Sequence, residues 1–194
     1  SGGPHLHFEF RDTQTENIIN PFFFGYDKLI KDTKTPVINS VYVYPIGEGS
    51  YANGSENPTV LNLVQQKDGN YIAQPVNANG KIGFGINTYD TADFNFNKNG
   101  VYKIEATLNG SREFMITFDE FAFAETRYIN AFLDYERLVK HNTRIQKIFI
   151  ENKYPLSLIS HNKKNGILNI EPNLTYAYVI EVCDFHQNRV MVTI

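Results

Sequence analysis

Short runs in which apolar and polar residues alternate cover most of this chain, a spacing typical of β-strands. Residues 37–44 are β-branched and aromatic and lie between two prolines, which predicts a strand with a breaker on each side. Residues 80–89 alternate apolar residues with small or polar ones, so they predict a half-buried strand. Gly83 and Gly85 fall within that strand, where we expect them to permit close packing rather than to hold a nucleotide.

Two hairpins are predicted where a turn separates two such runs. Asn109-Gly110 lies between residues 101–108 and 113–118, and both turn residues tolerate a positive φ angle. Near the end of the chain, residues 175–183 and 189–194 flank a polar turn and predict a closing hairpin. Many short strands joined by turn clusters predict a mainly β fold, an antiparallel β-sandwich that resembles bacterial immunoglobulin-like modules.

One segment departs from this pattern. Within residues 125–141, apolar residues follow helical spacing at Tyr128, Ile129, Phe132, Leu133, Leu138 and Val139. Glu136 and Lys140 are four positions apart and can form an ion pair on the surface of a helix. We predict one amphipathic helix inserted between strands. Its apolar stripe is expected to pack on the sandwich, and docking of a partner is the alternative.

Composition and charge narrow the classes of function. The chain has 194 residues, of which 42% are hydrophobic and 14% aromatic, enough to bury a core. Its net charge of -3 provides no basic field for phosphates, so no nucleic-acid partner is expected. Apolar runs are too short for a transmembrane segment. Cys183 is the only cysteine, and its apolar surroundings predict a buried structural residue.

Candidate chemistry is concentrated in the segment Gly3-Pro4-His5-Leu6-His7-Phe8-Glu9. Side chains two residues apart share one face of a strand, so His5 and His7 are predicted to face the same cleft, with Leu6 and Phe8 buried behind them. Two imidazoles on one face can contribute to a metal site. A catalytic zinc ion needs three protein ligands and an open position for water, which two histidines cannot supply alone.

This segment resembles the last core strand of the M23 (LytM/lysostaphin-like) zinc metallopeptidases, a strand followed in that family by an arginine and an Asn-Pro turn. Arg11 and Asn20-Pro21 occupy those places here. The resemblance implies that His7 is a zinc ligand and that His5 is a catalytic residue that handles a proton or stabilises the transition state. It covers residues 1–24 and is specific within them.

The family also uses an upstream His-x-x-x-Asp pair for its other two zinc ligands, and this chain has none. The residues four positions beyond His141, His161 and His186 are Ile145, Asn165 and Val190. Zn²⁺ is therefore expected only if residues outside this chain supply the missing ligands. We predict a C-terminal remnant of a peptidase domain in residues 1–24, a linker in 25–35 and the Ig-like sandwich in 36–194.

Two functions are compatible with this organisation. The first is the C-terminal portion of a bacterial cell-envelope M23-type endopeptidase that hydrolyses peptidoglycan cross-links and is catalytically incomplete as this chain alone. The alternative is a non-enzymatic β-sandwich module for binding or assembly at the envelope. The expected partner is a peptidoglycan peptide or an envelope protein, and the resemblance implies a location in the periplasm or at the cell surface.

The loop of residues 90–100 is rich in oxygen-bearing side chains, so calcium binding is considered for it. Counted from Asp93, the sixth position of an EF-hand loop would be Lys98 instead of glycine. The other interpretation is a polar turn whose side chains bend the backbone. Both interpretations stay open from the sequence.

Overall fold

The computed structural model describes Gly3 and residues 6–151, 156–161 and 165–194. In the first half of the chain the strands are β1 Phe10–Arg11, β2 Ile18–Ile19, β3 Val37–Pro45, β4 Tyr51–Ala52, β5 Thr59–Leu61, β6 Leu63–Gln65, β7 Tyr71–Ala73 and β8 Ala78–Tyr89. In the second half they are β9 Lys103–Leu108, β10 Ser111–Thr117, β11 Glu120–Phe121, β12 Gln146–Lys147, β13 Ile159–His161, β14 Leu168–Ile170, β15 Tyr178–Cys183 and β16 Arg189–Thr193. The helices are α1 Ile129–Phe132 and α2 Tyr135–His141, with 3-10 helices at Pro21–Phe24, Tyr26–Leu29 and Phe123–Tyr128.

Two sheets form the body of the molecule. The larger has the strand order β13-β10-β9-β15-β16-β7-β6, and its only parallel pair among the described strands is β16 with β7. The smaller has the order β12-β8-β3-β5, and β14 and β4 also pair with β8. The predicted mainly β, antiparallel sandwich is confirmed.

The core lies between these two sheets. Val41 and Val43 from β3 belong to the same buried cluster as Ile180 and Val182 from β15. The rings of Phe84 and Tyr178 stack with their centroids 4.5 Å apart and link the two sheets directly. Apolar burial between the faces is the main source of stability for such an arrangement.

The close packing predicted at the β8 glycines is confirmed. A Cβ atom added at Gly83 would lie 2.4 Å from Cδ1 of Phe149, and one added at Gly85 would lie 2.9 Å from Cγ2 of Ile145. Real Cβ atoms do not approach other atoms so closely, so only glycine allows these side chains to cover the strand.

Both predicted hairpins are present. Asn109 and Gly110 have φ angles of 49° and 82° and connect the paired residues Leu108 and Ser111. The Asn109 side chain also accepts a 2.8 Å hydrogen bond from the backbone N–H of Ala177, which fixes the turn against the chain entering β15. Strands β15 and β16 form the closing hairpin.

The single helix predicted for residues 125–141 is wrong in its continuity. At Leu133 the backbone becomes extended and pairs with Gln146, and Asp134 then caps a new helix by accepting a 3.0 Å hydrogen bond from the Arg137 N–H. The first part of the stripe packs on the core as expected, whereas Val139 in α2 is exposed. The predicted Glu136–Lys140 ion pair is present at 2.7 Å.

The N-terminal segment forms a small sheet of order β1-β2-β11, in which Ile19 pairs with Glu120 from the body of the molecule. Asn20 caps the following 3-10 helix by accepting a hydrogen bond from Phe22, with Pro21 in the first turn. Cys183 is buried as predicted. Among the described helices, none combines the length and the apolar character needed to cross a membrane.

Candidate functional site

Of the two histidines in the His-x-His segment, the structure describes only His7. His5 lies outside the described residues. His7 is exposed, and its Nε2 lies 3.1 Å from Oε2 of Glu9, whose other oxygen accepts a 2.6 Å hydrogen bond from Nε of Arg11. These two hydrogen bonds lower the pKa of the Glu9 carboxyl.

The zinc site implied by the resemblance is incomplete within the described part of the chain. No group of three metal-ligating side chains there includes His7. Glu9 is the described acidic group beside it, and that carboxylate is already held by Arg11. Residues 6–11 therefore do not fit a zinc ion with three protein ligands, and a three-ligand site at His7 needs ligands that the described residues do not supply.

A cavity of about 600 Å³ lies where β8 and β15 finish, and we call it the end cavity. Its walls come from the N-terminal segment, the 90–100 loop, α1, the approach to β12 and the turn after β15. Its polar and charged lining side chains include Asp32, Asp90, Arg144, Gln146, Asp184 and His186. Together with Phe118, which follows β10, six separate stretches of chain thus meet around one space.

Three of these side chains converge closely, and we call them the His–Asp cluster: Asp32, Asp184 and His186. One potential ligand atom from each lies within 4.8 Å of those from the other two. Asp184 is buried and the other two are half-buried. Carboxylates and an imidazole at this separation are able to bind a metal ion or share a proton.

The cluster is held by hydrogen bonds from neighbouring groups. Asn188 donates its backbone N–H to Oδ1 of Asp184 at 2.8 Å and its side-chain amide to Oδ2 at 2.6 Å. The same amide lies 3.2 Å from the backbone oxygen of Asp32. Nε2 of His186 lies 3.2 Å from the backbone oxygen of Asp27, which can only accept, so Nε2 is the donor in this hydrogen bond.

Asp90 faces the same cavity with an unsatisfied oxygen. It is 7% exposed, and its Oδ1 has no hydrogen-bond partner among the described residues. Burial, followed by the charges of Asp32 and Asp184, raises the pKa of Asp90 to about 7. Burial also raises the pKa of Asp184, against the opposing hydrogen bonds from Asn188. Negative charge in this cavity is therefore energetically costly, and binding of either a proton or a cation would relieve it.

The acidic 90–100 loop does not gather its own ligands as a calcium loop would. Asp90 lines the cavity, whereas Asp93 accepts hydrogen bonds from the N–H and the hydroxyl of Thr33. Phe94 and Phe96 are 92% and 97% exposed at the tip of the loop. No group of three acidic or histidine ligands within this loop converges in the described part of the chain.

Sequence reasoning located His186 in a turn but missed the cluster. Asp32 lay in the expected linker, and Asp184 looked like an ordinary turn residue. The sequence contained one local indication, an Asp at position 184 and an Asn at position 188 at the two ends of the turn. In the structure Asn188 donates hydrogen bonds to both carboxylate oxygens of Asp184. Nothing in the sequence indicated that residue 32 lies beside that turn.

Comparison with known proteins adds no relative: no family model, no curated protein and no solved structure matches this chain.

Proposed function

We propose that this chain is the C-terminal portion of a bacterial cell-envelope zinc metalloendopeptidase of the M23 type. Its substrate would be the peptide cross-links of peptidoglycan, and its location the periplasm or cell surface. The sandwich would serve as an accessory domain. The motif of residues 3–9, with Arg11 and Asn20-Pro21 after it, supports this assignment.

The single observation that carries the proposal is the exposure of the apolar residues on either side of His7. Leu6 is 91% exposed and Phe8 is 59% exposed, so the burial predicted for both side chains is wrong for this chain. Residues 6–9 lie outside β1, which begins at Phe10. If this segment pairs as a strand in the full-length protein, Leu6 and Phe8 would share one face, opposite to the face that carries the histidines. Exposed apolar neighbours of this size are typical of a surface that packs against another part of a protein.

Aromatic residues extend this apolar surface. Phe10 stacks on Phe24 with centroids 4.1 Å apart, and Phe8 and Tyr26 lie against Phe10. A strand packed on this group by its Leu6–Phe8 face would present His5 and His7 to the opposite side. There the resemblance implies that His7 holds the metal and His5 assists the developing charge.

The test is to purify the full-length protein from its source and to measure its intact mass and zinc content. We expect a mass well above 22.2 kDa and about one zinc ion per chain from this site. In that protein, His7→Ala should lose this zinc ion and peptidoglycan hydrolysis, while His5→Ala should keep zinc and lose hydrolysis. His141→Ala is the control, because His141 is exposed at the end of α2. Equal zinc content in all three variants would refute the assignment.

A non-enzymatic binding module of the envelope is the second candidate, and the exposed aromatic pair Phe94 and Phe96 favours it. Solvent-exposed aromatic side chains on a loop are common contact residues in binding surfaces. We expect the double change to Ala to leave the melting temperature unchanged and to reduce cosedimentation with purified peptidoglycan at least about tenfold, or 1.4 kcal/mol. Phe123→Ala is the matched control, because Phe123 is also an exposed phenylalanine. Equal cosedimentation of both variants would exclude this role for the loop.

A further inference from the structure

We propose that Asp32, Asp184 and His186 bind one divalent transition-metal ion in the end cavity, with Asp90 supplying a further oxygen ligand directly or through water. This site is separate from the zinc site to which His7 is assigned. The proposed role is structural: the ion would join the N-terminal segment to the turn that follows β15.

The separation of the ligand atoms fits a metal centre that is nearly assembled. Zinc lies about 2.0–2.2 Å from nitrogen and carboxylate oxygen ligands, which places neighbouring ligands roughly 3–4 Å apart. The atoms of the His–Asp cluster lie within 4.8 Å of one another. This limit is wider than the spacing expected around a bound ion, so binding requires the half-buried Asp32 and His186 side chains to move closer to Asp184.

Hydrogen bonds already orient two of the three ligands. The carbonyl of Asp27 accepts a hydrogen bond from Nε2 of His186, and Asn188 holds both oxygens of Asp184. Metal-binding imidazoles and carboxylates in proteins are held by partners of this kind, which set the ligand orientation before the ion arrives. Each oxygen of Asp184 keeps a second lone-pair direction for a metal.

Unsatisfied oxygens are the independent sign that a ligand belongs in this cavity. Asp90 and Gln146 both line it, and neither Oδ1 of Asp90 nor Oε1 of Gln146 has a hydrogen-bond partner among the described residues. Such buried groups are rare because each costs free energy. Arg144 also lines the cavity, but no ion pair of the described residues joins it to Asp32, Asp90 or Asp184. A bound cation with its water would satisfy this excess of acceptors.

The donor set selects the class of ion. Calcium and magnesium are bound mostly by oxygen atoms, whereas an imidazole beside carboxylates suits zinc or manganese. The ion expected in this site is therefore Zn²⁺ or Mn²⁺.

The experiment uses the whole chain carrying His5→Gln and His7→Gln, so that zinc binding by the N-terminal motif does not contribute. After removal of metals with a chelator, ZnCl₂ and MnCl₂ are titrated by calorimetry, and the melting temperature is measured with and without each ion. We expect about one ion per chain and a higher melting temperature for at least one of the two metals, since a ligand that binds only the folded state stabilises it.

Three variants in this background locate the site. Asp32→Asn should weaken binding at least about tenfold, a loss comparable to those seen when metal-ligand surroundings are altered. Asp90→Asn should weaken it as well, and should not reduce the stability of the metal-free protein because it removes a buried charge. Asp68→Asn, an exposed change outside the cavity, should bind as the parent does.

Three results would overturn the proposal. One is no binding of Zn²⁺ or Mn²⁺ to the metal-free protein, and another is unchanged affinity in Asp32→Asn. The third is tighter binding of Ca²⁺ that His186→Gln leaves unaltered, because the imidazole would then be no ligand. Since the background lacks His5 and His7, none of these results depends on the peptidase assignment.

Discussion

Tyr44 and Tyr178 are both buried tyrosines, but their hydroxyls have different surroundings. The Tyr44 hydroxyl donates a 2.8 Å hydrogen bond to Oδ2 of Asp134, whereas the Tyr178 hydroxyl has no partner among the described residues. Burial raises the pKa of both phenols, so both hydroxyls stay protonated at neutral pH. At the scale of single residues, stability depends on whether each buried polar atom is satisfied.

Replacing each tyrosine with phenylalanine should therefore have opposite effects. Tyr178→Phe removes an unsatisfied buried hydroxyl and should leave the free energy of unfolding unchanged or raise it by up to about 1 kcal/mol. Tyr44→Phe removes the partner of a buried carboxylate and should lower it by about 1–3 kcal/mol. Urea unfolding of the two variants checks this contrast, and a loss of stability in Tyr178→Phe would contradict it.

Gly83 provides a second prediction at this scale. A methyl group there would overlap the Phe149 ring, so Gly83→Ala should lower the free energy of unfolding by about 1–3 kcal/mol. Gly100→Ala is the matched control, because nothing lies within 4 Å of its added Cβ. If both variants unfold at the same urea concentration, the close packing at Gly83 does not contribute to the free energy of unfolding.

At the scale of elements, Asp134 determines where the helical insert breaks. It caps α2, accepts the hydroxyl of Tyr44 and lies 3.3 Å from Nε of Arg137. Leu133 pairs with Gln146 immediately before it. The helical periodicity continues across this point, but the carboxylate provides more interactions as a cap and acceptor than as an interior helix residue.

Asp134→Ala should accordingly lower the free energy of unfolding by about 2–3 kcal/mol, since the cap and the Tyr44 acceptor are both lost. Asp134→Asn should lower the free energy of unfolding by a smaller amount, because the side-chain oxygen of asparagine still caps the helix. Thermal unfolding followed by circular dichroism measures both, and an equal loss in the two variants would show that charge rather than capping is the dominant contribution.

At the scale of the whole molecule, residues 22–32 pack on the turn after β15. Phe22 and Phe23 contact Phe185 with ring centroids 5.1 Å and 5.2 Å apart. The expected linker also supplies the Asp27 and Asp32 carbonyls bonded to His186 and Asn188. This segment therefore contributes walls and contacts to the end cavity.

A chain that begins at residue 36 should melt at a lower temperature than the whole chain, both measured with a chelator present. Losing the partly buried phenylalanine contacts should cost about 2–3 kcal/mol, which corresponds to roughly 4–10 °C for a protein of this size. A chain that begins at residue 10 is the control, because residues 6–8 are exposed. Equal melting temperatures for all three chains would mean that residues 10–35 add no stability.

Several features of the fold could be predicted from short stretches of sequence. The limits of β3 follow from its apolar run between prolines, and the Asn109-Gly110 turn follows from two residues that accept positive φ angles. Burial of Cys183 and close packing at Gly83 were also correctly predicted. These features are set by backbone preferences and side-chain periodicity over a few residues.

The helix break and the end cavity depended on residues far apart in the chain. Asp134 meets Tyr44 across 90 positions, and Asn188 meets Asp32 across 156. The sequence by itself determined the longer strands, the two hairpin turns and the presence of the His-x-His motif, because each is encoded by neighbouring residues. Only the tertiary structure decided that Asp32, Asp184 and His186 converge, because strand pairing and packing between distant segments set the distances between their side chains.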